Sequence, residues 1–290
     1  MRKFLLATAL SVSLGGAASA ADLALKSRPV PPPLWSWSGF YLGINGGGSI
    51  GHSATTDSQV FSAPFTGLTA VPLANESFNH SPVGGVWGVQ GGFNWQVSPS
   101  IVLGVEADWQ WTSQRDSANL FGCGGQNLAF FLINGQGFNN CFSDEQKLRW
   151  FGTVRARAGV TTGDWLWYAT GGAAWGSVQD NLTLTIANAD LAIDNPLVPG
   201  TTVAGFTHNK SGWTVGGGVE TRLWGALTAK FEYLYVDLGS YTDTFAMPGN
   251  TVIVLGSTLI TTTTSHFTDH IIRAGLNWKF GPWGGVTAAY

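Results

Sequence analysis

The sequence predicts an all-β fold: an eight-stranded antiparallel up-and-down transmembrane β-barrel, with short turns at one end and long loops at the other. Three observations predict it. First, apolar and polar residues alternate in eight segments, near 38–50, 83–97, 101–112, 147–161, 165–178, 211–223, 227–238 and 267–280. Second, the connections alternate in length. Those at "SPS" (98), "TTGD" (161) and "WGA" (224) are tight, whereas 51–82, 113–146, 179–210 and 239–266 are long and polar, as a meander requires. Third, the apolar faces collect Trp87, Trp95, Trp109, Trp111, Trp150, Trp165, Trp167, Trp175, Trp213 and Trp278. An eight-stranded barrel has an interior just wide enough for ordinary side chains, and ten indoles do not fit there.

Volume therefore turns the indoles outward. The opposite face carries Gly43, Gly47, Gly84, Gly88, Gly92, Gly104, Gly216, Gly218 and Gly275, small enough for a narrow lumen. Spacing agrees with a membrane. Trp87 and Trp95 share a face eight residues apart, as do Trp167 and Trp175. Eight tilted residues rise about 21 Å, close to the roughly 25 Å apolar band that aromatic girdles flank in membrane barrels. The expected girdle comprises Trp87, Trp95, Trp109, Trp111, Trp167, Trp175, Trp213 and Trp278.

From the N-terminus, Arg2 and Lys3 precede the apolar run "FLLATALSVSL" and the small residues "GGAASA", so 1–20 reads as an export signal cleaved after Ala20. Residues 21–37 hold Pro29 and Pro31 to Pro33 and suit an extended segment before the barrel at 38–280; residues 281–290 form a short tail. Without Arg2 and Lys3, the fourteen basic residues fall to twelve against seventeen acidic ones, which argues against a nucleic-acid partner. No later run of about 18 apolar residues offers a membrane helix. Export puts Cys123 and Cys141 in an oxidising compartment, where a loop disulfide is expected; closing that loop contributes about 3 kcal/mol in the chain-entropy model.

Charges collect on the lumen face. Segment three, "IVLGVEADWQW" (101–111), turns Glu106 and Asp108 inward, and segment four, "KLRWFGTVRARAGV", does the same for Arg155 and Arg157. Glu220, Lys230, Glu232 and Arg273 complete a belt at about one level. A buried charge is tolerable only when paired, so Glu106 and Asp108 are expected to pair with Arg155 and Arg157 on the neighbouring strand.

Other candidates carry blander readings. His52, His80 and His266 lie at strand ends and fit a headgroup boundary better than a metal or pH-responsive rim. "TSHFTDH" (264–270) offers Ser265, His266, Asp269 and His270 to a lipid hydrolase, but neighbouring Ser and His residues in a strand point to opposite faces. "GINGGG" (43–48) lacks the Lys-Ser/Thr of a phosphate loop. No metal, cofactor or catalytic residue is expected.

The segments "WSGFYLGINGG" (37–47), "GVEADWQW" (104–111), "WFGTVRARAG" (150–159), "YATGGAAWG" (168–176), "GWTVGGGVE" (212–220), "KFEYLYVDLG" (230–239) and "RAGLNWKF" (273–280) together resemble the small porin-like, immunogenic outer-membrane β-barrels of Gram-negative bacteria, relatives of the opacity-type adhesins. The resemblance runs in order from 38 to 280; the long loops match nothing in it. It implies periplasmic turns, extracellular loops and periplasmic placement of 21–37 and 281–290. It also implies a final aromatic strand residue read by the outer-membrane insertion machinery. Because "GPWGGVTAAY" follows Phe280, either Phe280 is read internally or Tyr290 takes that part, and the strand break at Gly281 and Pro282 favours Phe280. The function implied is an integral, surface-displayed outer-membrane protein whose loops serve adhesion or envelope contact with a host or surface ligand. A small-solute porin is the alternative and a lipid-modifying enzyme the third reading. Outer-membrane lipids and lipopolysaccharide are expected neighbours, although no basic run marks a site for them.

Overall fold

The computed structural model describes residues 35–63, 68–119, 128–133, 136–188, 200–248 and 258–280. The strands are β1 (Gly39–Ala63), β2 (Leu68–His80), β3 (Val83–Ser98), β4 (Ile101–Thr112), β5 (Arg115–Asn119), β6 (Leu128–Ile133), β7 (Gln136–Thr162), β8 (Trp165–Asn188), β9 (Gly200–Trp224), β10 (Leu227–Pro248) and β11 (Thr258–Phe280). Eight close a ring in the order β1-β3-β4-β7-β8-β9-β10-β11, with β11 returning to β1 in a ladder from Phe40↔Phe280 to Ser62↔Thr258. β2, β5 and β6 are additions at the long-loop end, pairing with β1, β7 and β7. Full closure leaves the ring no open edge.

The tight turns are built as expected. Gly163 and Gly225 take φ of +65° and +53°, the left-handed conformation that two-residue hairpin loops demand. Each sets the register of the strands it joins, and register fixes which face every side chain takes.

The barrel is inverted relative to a soluble protein. Phe40, Leu42, Ile44, Trp87, Trp95, Val105, Trp167, Trp213, Ile272 and Trp278 stand on the exposed outside, while Asn45, Gln90, Asn94, Glu106, Arg155, Lys230 and Arg273 are buried inside. That arrangement suits a hydrocarbon surround and no aqueous one, because it leaves a continuous apolar band uncovered.

The strands run well past this band. β7, β8, β10 and β11 extend through most of the stretches that read as long loops, and β1 continues to Ala63. Sequence periodicity is muted there because Thr, Ser and Asn occupy both faces, as in "TTTTSHF", so no apolar side marks a strand. Above the band the ring divides into two sheets. β9 and β10 share no register beyond Trp213↔Asp237, and β4 gives way to β5, leaving β2-β1-β11-β10 to face β9-β8-β7-β5. Bulges at Leu148/Trp150 in β7 and Asp237/Gly239 in β10 fall at this boundary, where they bend the strands.

Candidate functional site

The lumen is filled in layers. At the short-turn end, Trp37 packs with Val102, Leu166 and Tyr168, with Trp35 beside them. Trp35 and Trp37 thus sit in the barrel mouth although the sequence places them in the N-terminal segment. Lys279 Nζ and the Arg222 guanidinium lie 4.3 and 4.9 Å from the Trp35 ring, and Lys279 donates to the Ser36 carbonyl.

Above this layer lie four carboxylates and four cations. Arg155 bonds three acids at once: Glu106 at 2.5 Å, Asp108 at 2.8 Å and Glu232 at 3.0 Å. Arg273 joins Asp108 at 2.9 Å to Glu232 at 2.6 Å, and Lys230 reaches Glu106 at 2.8 Å. Arg157 is nearest Glu220, at 2.9 Å, with Glu106 at 3.6 Å. Each of these eight side chains is at most 2% exposed. Tyr41 donates to Glu106 at 2.7 Å and Tyr168 to Glu232 at 3.0 Å, while the Arg157 guanidinium covers the Tyr168 ring at 4.0 Å. Charges removed from water to this degree persist only where every one is paired and hydrogen-bonded.

Glycine makes the room. A Cβ at Gly218 would stand 2.7 Å from the Tyr168 hydroxyl, and one at Gly92 would run into that of Tyr41.

Above the belt lies a layer that sequence reading missed: Val86, Leu148, Phe151, Ala174, Val178, Leu234, Val236, Leu238, Tyr241, Phe267 and Ile271. Its signal was present but obscured. In "YLYVDL" both faces of β10 are apolar, so alternation does not separate lumen from lipid. The layer is apolar apart from Asp269, which lies between Phe267 and Ile271 and accepts from Gln114 at 3.1 Å.

At the long-loop end, buried polar residues bridge the two sheets. On one seam His80 of β2 lies 3.1 Å from Asp144 of β7, and Asp116 of β5 accepts from the Ser81 amide at 2.7 Å. On the other, His208 of β9 lies 2.6 Å from Asp243 of β10. Gln146 of β7 donates to Tyr241 of β10 across the middle at 2.5 Å. Burial, then the Asp144 charge, pushes the Asp180 carboxyl up to about 7. Burial also raises Asp243, against the pull of His208. Burial alone would depress His80, but its bond to Asp144 and the charges of Asp144 and Asp116 leave it above its ordinary value. Among the described residues, Asp180, His208 and Asp243 are the one set of three donors whose ligand atoms lie within 4.8 Å of one another. His80, expected at a headgroup boundary, is instead fully buried in a clamp.

The remaining sequence candidates fall as follows. Trp87, Trp95, Trp109, Trp111, Trp167, Trp213 and Trp278 are exposed on the outer face; Trp175 is half-buried because its ring lies across Gly152. Trp109 stacks on Trp150 at 4.3 Å. Ser265 points inward and bonds Thr55 at 3.0 Å, whereas His266 points outward to Ser240, also at 3.0 Å, so the two cannot act as nucleophile and base. Phe280 ends β11 opposite Phe40. Cys123 and the tail 281–290 lie outside the described residues, as do 1–34; Cys141 is placed only by its backbone, opposite Thr185.

A closed ring with an apolar outside and a charge-neutral interior defines an integral outer-membrane β-barrel. The chain belongs to the outer membrane protein β-barrel domain family, whose model matches residues 7–280. It is similar to a 31 kDa outer-membrane immunogenic protein of Brucella melitensis biotype 1, 32% identical over 97% of this chain and 100% of that protein. It also resembles a 22 kDa outer membrane protein of Rhizobium leguminosarum bv. viciae, 26% identical over 74% of this chain and 70% of the relative. Among solved structures, the outer membrane protease OmpT of Escherichia coli aligns with TM-score 0.39 and 10% identity, covering 86% of this chain and 99% of that one. The protein is thus an outer-membrane protein of the Gram-negative envelope, and the apolar band is its lipid-facing surface.

Proposed function

We propose that this barrel is a sealed, non-enzymatic anchor that holds a two-sheet β-extension above the outer membrane for contact with a host surface or with the envelope. One observation carries the reading. The lumen is occupied along its length by the Trp37 layer, the neutral ionic belt and an eleven-residue apolar layer. A solute would have to separate paired charges and then cross an oily section, each step costly. The cost of burying four ion pairs in the barrel is explained if its task is to be rigid. Contact then falls to the extension, whose exposed residues, among those described, include Thr56, Ser77, Asn79, Thr207, Asn209 and Thr242.

Planar-bilayer recording of the purified protein tests the sealed lumen. The expected result is no steady conductance, with brief openings at most. A steady conductance that changes when Arg157 is neutralised supports the porin reading instead. Cell adhesion to a host-cell monolayer, compared with and without the extension beyond the β7 and β10 bulges, tests the display role; equal adhesion removes it.

A further inference from the structure

Assigning every basic side chain isolates three of them. Of the fourteen lysines and arginines, Arg2, Lys3, Lys26 and Arg28 precede the described residues. Arg155, Arg157, Lys230 and Arg273 occupy the belt, Arg222 and Lys279 cover Trp35, and Lys210 is half-buried on β9. The last three, Arg115, Lys147 and Arg149, line one cleft of about 800 Å³ together with Val83, Thr112 and Ser113. Arg115 is far in sequence from Lys147 and Arg149, so no basic run betrays the three.

The cleft exists because β4 hands over to β5 against β7. Thr112 ends β4 and Arg115 begins β5, while β7 bulges between Leu148 and Trp150. Arg115 therefore stands directly opposite Lys147, and Arg149 emerges exposed from the bulge beside them. The frame is pinned: Thr112 Oγ1 donates to the Leu148 carbonyl at 2.6 Å, and the Gly85 amide donates to Ser113 Oγ at 3.0 Å. Like charges facing across a ladder repel each other. One carboxylate, Glu145, bonds Lys147 at 2.6 Å and leaves two positive charges in excess.

Height supplies the second observation. Trp111 and Trp150 pair across β4 and β7 just below the cleft, Trp109 stacks on Trp150, and exposed Val83 and Trp87 continue this aromatic and apolar rim on β3. Such indoles mark the level where hydrocarbon ends and headgroups begin. The cations thus sit at headgroup height on the outer wall. Arginine's planar fork matches phosphate oxygens in paired hydrogen bonds.

We propose that this cleft binds the phosphate groups of a phosphorylated glycolipid in the outer leaflet, with its acyl chains lying along the Trp111–Trp150 wall. The proposal rests on the outer-membrane reading with the extension outside.

The test uses the full chain folded in detergent and three probes: diphosphorylated lipid A, the same lipid enzymatically dephosphorylated, and inorganic phosphate. The R115Q/K147Q/R149Q variant is expected to bind diphosphorylated lipid A about tenfold or more weakly than the parent, a loss worth one or more charge-assisted contacts. R149Q alone, at an exposed bulge, should shift affinity in the same direction by less. Equal affinity of the parent for the dephosphorylated lipid, or unchanged binding by the triple variant, overturns the proposal. Inorganic phosphate binding as tightly as lipid A also overturns it, because the site is then an ion site. Heat-modifiable gel migration after insertion into vesicles reads the barrel separately. A variant that inserts but does not bind supports the cleft, whereas a parent that fails to insert counts against the membrane reading itself.

Discussion

Arg155 and Glu106 face each other across the β4–β7 ladder, Nη2 to Oε1 at 2.5 Å, with both side chains shut away from solvent. Register alone puts them opposite, but the same guanidinium also holds Asp108 and, from across the lumen, Glu232. Arg155 is thus the knot of the belt rather than one member of a pair.

Arg155→Ala leaves Glu106, Asp108 and Glu232 short of a cation in a dry interior. The expected cost is about 3–5 kcal/mol. Refolding in detergent against urea, followed by tryptophan fluorescence, measures it. Unchanged refolding refutes the structural role of the belt.

Gly218→Val probes the same layer by volume. The added Cβ meets the Tyr168 hydroxyl and the Phe231 carbonyl, at 2.7 and 2.6 Å. Tyr168 is itself tied to Glu232, so it cannot move aside freely. Overpacking of this kind costs about 1–3 kcal/mol, read as a lower urea midpoint.

The extension should loosen as pH rises. Asp180, held at about 7, lies above an unfolded aspartate near 3.9. The folded state keeps its proton between those two values while the unfolded chain has lost it, so stability falls as pH climbs through that window. Asp243, also raised, has the same sign. The raised His80 stabilises fully below the ordinary histidine value near 6.5 and loses that contribution as pH passes its folded value. Amide hydrogen exchange at about pH 5 and about pH 8, corrected for intrinsic rates, should show greater opening of 136–148 and 239–248 at the higher pH. Asp180→Asn should flatten that difference; an unchanged difference means Asp180 is not its source.

Phe280 closes the ladder opposite Phe40, and the sequence continues for ten residues beyond it. If the strand end is the assembly signal, deleting 281–290 leaves insertion intact, while Phe280→Ala slows it. Heat-modifiable migration after expression separates the two variants. Lost insertion on deleting the tail transfers the role to Tyr290.

The sequence by itself determined the barrel, the outward indoles and the inward charges. Period-two alternation, tight turns at Gly163 and Gly225, and the volume of an indole are local properties that survive without coordinates. Tertiary structure decided the partners. Arg157 meets Glu220 and Arg155 meets Glu232 because closing the ring brings β7 against β9 and β10, strands that are not its neighbours. The same closure builds the His80–Asp144 and His208–Asp243 seams, while the hand-over of β4 to β5 against the bulged β7 gathers Arg115, Lys147 and Arg149 into one cleft. Alternation says which way a side chain points; only the curvature and register of the closed sheet say what it meets there.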